Sequence, residues 1–176
     1  CARFYDKSLK ITSGEGGPYT ITRSAEFKQQ NDTARNWYNP AMIEVQSSSA
    51  SSVGLTLSDI ILNDAGMHEG TVFAQAVSGD SNEDNTVYVQ DAIIASNATV
   101  PCTVTLGKGA VLRNFGGMSA VRATDQAKIV MESGSVIEDT LPGYTRTKDS
   151  AAGSVGPAGA IWLQGGTLVM EEGSKI

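Results

Sequence analysis

An eleven-residue phrase limits what this chain can fold into. Residues 104–114 read VTLGKGAVLRN: a short apolar alternation, a glycine turn, and a second apolar pair closed by Asn. The phrase returns at 129–139 as IVMESGSVIED and begins again at 168–176 as LVMEEGSKI. Alignment puts Leu106, Met131 and Met170 in one column, Gly109, Gly134 and Gly173 in the next, and Leu112, Ile137 and Ile176 in a third. Asn114 and Asp139 share a column 25 residues apart. A period in the twenties, made of strand-like runs and glycine turns, leaves no room for a helix and predicts an all-β solenoid, the parallel β-helix. Each coil buries its inward side chains on the coils above and below, because one coil cannot cover its own apolar face. A trimmed copy at 55–63, LTLSDIILN, sets Asn63 51 residues before Asn114. That distance is close to two periods, so an intervening coil that has lost the phrase is expected.

Composition narrows the function classes. Thirteen Lys and Arg against 19 Asp and Glu give a net charge of −6, and no Lys/Arg-rich run occurs, so nucleic acid is excluded as a partner. The apolar runs fall far short of the ~20 residues that span a bilayer, so no membrane span is expected. A hydrophobic share of 40% with only 6% aromatic suits walls of stacked Val, Ile and Leu. The chain starts at Cys1 and stops inside a repeat phrase. Residues 1–176 are therefore read as part of one parallel β-helix domain, open at both ends, whose partner is the remainder of a parent β-helix or a complementary chain. Cys1 and Cys102 make no disulfide or zinc spacing, and Cys102 is expected to pack as a small apolar residue.

Along the chain, residues 8–23 read as strand, Gly-rich turn, strand, with Leu9 and Ile11 on one face and Tyr19 and Ile21 on one face of the next. The glycines here and at 107–109 lack the Lys-Ser/Thr ending of a phosphate loop and are turns. Residues 26–40 are polar and carry Trp37 just before Pro40, an excursion from the wall that either stacks on a sugar or covers the core. Residues 42–45 rejoin the sheet. Residues 63–94 form the irregular stretch, with a strand at 72–77, an acidic loop at 78–85 and a strand at 86–94. Residues 141–157 are a second wall loop, and residues 158–164 rejoin the sheet with Trp162, which alternation alone does not place inside or out.

The acidic loop holds the sharpest candidate chemistry. Asp84 and Asp91 are seven apart, so they converge only if Asp84 folds back from the loop over the strand that Asp91 begins. Two carboxylates about 5–5.5 Å apart around a glycosidic bond make a retaining glycosidase. The same stretch, DSNEDNTVYVQD, sets Asp80, Asn82, Asp84 and Asp91 at positions 1, 3, 5 and 12 of a calcium loop, with Asn85 where Gly is required and Asp91 where Glu is usual. Catalytic pair, calcium loop and solvated acidic turn stay open as three readings of one stretch. His68, the single histidine, either contacts a sugar hydroxyl or lies on the surface. No GxSxG elbow occurs and Cys102 has no base nearby in sequence, which argues against Ser or Cys nucleophiles.

Several phrases then act as a set: GGPYTITR, WYNPAMIEV, HEGTVFAQA, NTVYVQDAII, LRNFGGMSAVR and MESGSVIEDT. Together they resemble the right-handed β-helix glycoside hydrolases of gut bacteria typified by lacto-N-biosidase. The resemblance implies Asp84 as acid/base and Asp91 as nucleophile, with Trp37, His68, Tyr88 and Gln90 as sugar-contacting candidates. It implies an extracellular or cell-surface bacterial enzyme that releases lacto-N-biose from human milk oligosaccharides. Catalysis would need no cofactor, while the family suggests a dedicated folding factor and divalent cations, which fit a structural calcium at Asp80 and Asn82 without choosing it. A non-catalytic surface β-helix that binds glycans, an adhesin, is the alternative.

Overall fold

The computed structural model describes residues 2–23, 41–47, 52–64, 91–97, 100–115, 119–140 and 159–176. Among them every regular element is a strand, and every strand-to-strand pairing is parallel. The strands fall in order into repeated passes. The first pass is β1 (Ala2–Tyr5), β2 (Leu9–Thr12) and β3 (Tyr19–Thr22). The second is β4 (Ala41–Gln46), β5 (Val53–Ser58) and β6 (Ile60–Asn63), and the third is β7 (Asp91–Asn97), β8 (Cys102–Leu106) and β9 (Val111–Arg113). The fourth is β10 (Ser119–Asp125), β11 (Lys128–Met131) and β12 (Val136–Glu138), and the last is β13 (Gly159–Gln164) and β14 (Thr167–Met170), with Lys175 bridging to Val136.

Three walls result. Wall A runs β1-β4-β7-β10-β13, wall B runs β2-β5-β8-β11-β14, and wall C runs β3-β6-β9-β12. Each of the first four passes adds one strand to each wall and the last adds one to walls A and B, so a side chain in one pass stacks on its counterpart in the next. Leu9, Leu55, Val104, Ile129 and Leu168 form one such column, and Ile11, Leu57, Leu106, Met131 and Met170 form another. In wall C, Ile21, Leu62 and Leu112 are in register with Ile137. In wall A, Ile43, Ile93 and Val121 stack, as do Val45, Ala95 and Ala123. The middle members of these columns are buried and make one continuous core. The Leu106, Met131 and Met170 column read from the sequence is thus a core stripe of wall B, and the Leu112 and Ile137 column one of wall C.

The corners explain the glycine column. Between walls B and C the chain turns through a left-handed residue, Gly109, Gly134 or Gly173, each with φ between +73° and +87°. Asp59 occupies that corner in the second pass at φ +48°, and its amide donates to the Lys108 carbonyl at 3.0 Å. Asp and Asn are the non-glycine residues best suited to the left-handed region, because a short polar side chain can bond locally. Asn114 and Asp139, at φ +61° and +52°, make the same kind of bend where wall C ends. Their shared column is therefore a backbone requirement.

The structure departs from the sequence reading in the middle of the chain. β4, β5 and β6 pair directly with β7, β8 and β9, so no coil intervenes between Asn63 and Asn114. Residues 65–90 are an insertion between two adjacent passes. The register also shifts the expected alignment by one. Asn63 faces Arg113, and it is the Asp64 amide that donates to the Arg113 carbonyl, which puts Asp64 in the column of Asn114.

Candidate functional site

The long connections all belong to one corner. Residues 24–40, 65–90 and 141–158 each follow a wall C strand and precede a wall A strand, whereas the B-to-C corners close within a few residues. The fourth connection of this kind, between β9 and β10, needs only residues 114–118. Trp37, His68, Asp80, Asn82, Asp84, Tyr88 and Gln90 lie on the first two long segments, outside the described residues. Asp91 is placed by its backbone: it is the first residue of β7, in register with Ala41 at the start of β4. The described ends of these connections lie where wall C hands over to wall A, and Asp91 stands at one of them. The expected strand at 72–77 also lies outside the described residues, while the strand expected at 86–94 is described from Asp91 onward.

The base of this corner is built by a second set of residues. The Arg23 amide donates to the Asn63 carbonyl at 2.9 Å and the Asp64 amide to the Arg113 carbonyl at 3.1 Å, which carries the wall C ladder one residue past its strands. Arg23 Nε donates to Asp64 Oδ1, and both side chains are fully buried. Asn114 Nδ2 donates to Asn63 Oδ1 at 2.7 Å, and Phe115 is buried directly after it. A buried charge is tolerated where an opposite charge and hydrogen bonds meet it. Here the pair ties the last described residue before 24–40 to the last before 65–90. Sequence reasoning missed it: the partners are 41 residues apart, and the alignment that put Asn63 in the corner column hid Asp64.

Cys102 is buried, its Sγ lies 3.8 Å from the Val45 carbonyl oxygen, and burial pushes its thiol up to about 11. A thiol so shifted is almost wholly protonated at neutral pH and makes a poor nucleophile. Trp162 projects outward, alternating with Ile161 and Leu163 of the inner columns. The Arg122 guanidinium lies 5.5 Å from its ring centroid on the outer face of wall A. Among the described residues no three His, Cys, Asp or Glu side chains are grouped to hold a metal ion, and no helix is long and apolar enough to cross a membrane. The suggested calcium positions 80, 82 and 84 are not among those residues.

Compared with known protein families, with curated proteins and with solved structures, the chain matches none.

Proposed function

We propose that this chain is part of a right-handed parallel β-helix glycosidase that hydrolyses a β-linked glycan with retention, Asp84 serving as acid/base and Asp91 as nucleophile. The observation that supports the reading is that the long connections all leave wall C and re-enter at wall A, with Asp91 opening β7 at one such re-entry. The stack of three parallel walls agrees with the fold that the resemblance implies. The right-handed sense rests on the resemblance, and the general preference for right-handed parallel crossovers, about 98% of cases, is in keeping with it.

The chemistry assigned to the pair is a double displacement. Asp84, protonated, gives its proton to the glycosidic oxygen as that bond breaks, while the Asp91 carboxylate attacks the anomeric carbon from the opposite face. A covalent glycosyl–Asp91 ester results. Asp84, now ionised, takes a proton from water, and the hydroxide character so developed displaces Asp91 and restores the configuration. Mutual repulsion of two close carboxylates favours one protonated and one ionised form, as the division of labour requires. Trp37 would stack on a sugar ring, and His68, Tyr88 and Gln90 would bond its hydroxyls. The substrate class, milk-type oligosaccharides that yield lacto-N-biose, and the extracellular bacterial setting rest on the resemblance.

Mass spectrometry of products, after incubation of the whole protein with lacto-N-tetraose, tests this. Splitting of the tetrasaccharide into two disaccharides is expected, and its loss in Asp91→Asn. Glycan binding with no product would replace the enzyme by a surface β-helix of adhesin type.

A further inference from the structure

Wall A changes character where its strands begin. Ile43, Ile93 and Val121 stack in one column and Val45, Ala95 and Ala123 in the next, all apolar. The column before them is partly polar. Asp91 is in register with Ala41, and the pairing of Val121 with Ile93, carried two residues back, sets Ser119 on the other side of Asp91. Ser119 in turn pairs with Gly159, which brings no side chain. Ala41 and Ser119 are buried, at 0% and 1% exposure. Ser119 thus carries a hydroxyl withdrawn from solvent, one strand over from the residue that opens β7.

A hydroxyl is kept in a buried column at little cost only where it is hydrogen-bonded. Neighbouring strands lie about 4.8 Å apart, a spacing at which a serine on one can donate to a carboxylate in register on the next. A carboxylate that accepts such a bond is favoured in its ionised form, and one oxygen is held while the other stays available. Neither Ala41 nor Gly159 has a side-chain donor to offer. We infer that Ser119 is a positioning residue for Asp91, its hydroxyl orienting the carboxylate that attacks the anomeric carbon. This rests on the glycosidase reading above and adds to it a residue from β10, the strand that follows β7 in wall A.

Steady-state kinetics of the whole protein on lacto-N-tetraose test it, with Ser119→Ala, Ser119→Val and Ser119→Thr. Thr and Val have nearly the same shape, so that pair separates the hydroxyl from the volume that fills the wall. Ser119→Ala and Ser119→Val are expected to lose roughly tenfold to a hundredfold in kcat with KM unchanged, and Ser119→Thr to keep most of it. Ser135→Ala is the control, since it removes a buried hydroxyl bonded to the Glu132 carbonyl in the B-to-C corner, and it should leave kcat at the wild-type value. Melting curves of all four report the fold. Wild-type kcat in Ser119→Ala and Ser119→Val would overturn the inference and leave the glycosidase reading standing. So would equal losses in Ser119→Val and Ser119→Thr, because the hydroxyl would then play no part. A wild-type protein that releases no disaccharide, or undiminished turnover in Asp91→Asn, would overturn both.

Discussion

At the residue scale, the corners of the stack are held by two different devices. Where the chain bends through the left-handed region, glycine or a short polar residue removes the steric cost. Gly109→Ala would add a Cβ that meets both the left-handed penalty of roughly 1–2 kcal/mol and the side chain of Asp59. Gly134→Ala meets the penalty alone, its nearest neighbour being Lys108 Cγ at 3.5 Å. Urea unfolding should therefore find both variants destabilised and Gly109→Ala the worse of the two. Where wall C ends in the first two passes, the buried Arg23–Asp64 pair replaces the left-handed bend made by Asn114 and Asp139. Asp64→Ala leaves the guanidinium buried without its carboxylate and is expected to cost about 3–5 kcal/mol. The double variant Arg23→Met, Asp64→Leu should recover much of that loss in the same measurement. A double variant no better than Asp64→Ala would mean that the cost is packing rather than charge.

At the scale of the element, the strands are short, and their stability comes from the columns they continue. Leu106 lies between Leu57 and Met131 with no exposure, so Leu106→Ala should cost about 2–5 kcal/mol. Met170 ends the same column and is 44% exposed, and Met170→Ala should cost far less in thermal or urea unfolding. This part of the fold was legible in the sequence, because the phrase repeats with one spacing between the third and fourth passes and its columns name the core directly. Asn114 and Asp139 were legible for the same reason. What escaped was the second pass. Its B-to-C turn is one residue shorter than that of the third pass: Leu57 to Leu62 spans five steps where Leu106 to Leu112 spans six. Nothing in the strand pattern announces the difference. Asn63 therefore took the place of Asp64 in the alignment, and the buried ion pair went unseen.

At the scale of the molecule, a spacing of 49 to 50 residues between paired positions resembles two periods of 25, and counting alone cannot tell a degenerate coil from an insertion. Strand pairing decides it, because β5 and β8 are direct neighbours. Replacing residues 65–90 with residues 115–118, which lead into β10, keeps Asp64 and should therefore leave cooperative unfolding and the β-type circular dichroism signal intact, while removing the segment that bears Asp84. A chain that no longer folds after this exchange would mean that the segment contributes to the wall. The candidate site was legible only as residue types, two Asp seven apart in an acidic stretch. That the segments bearing Trp37, His68 and Asp84 both run from a wall C strand to a wall A strand comes from topology, which no local spacing contains. The central claim is retaining hydrolysis by Asp84 and Asp91, and its most direct test is proton NMR of the first product formed by the whole protein from lacto-N-tetraose. The newly freed anomeric centre is expected to emerge in the β configuration and then mutarotate, with no signal from Asp91→Asn. An α product at the earliest time points, or undiminished turnover in Asp91→Asn, would contradict it.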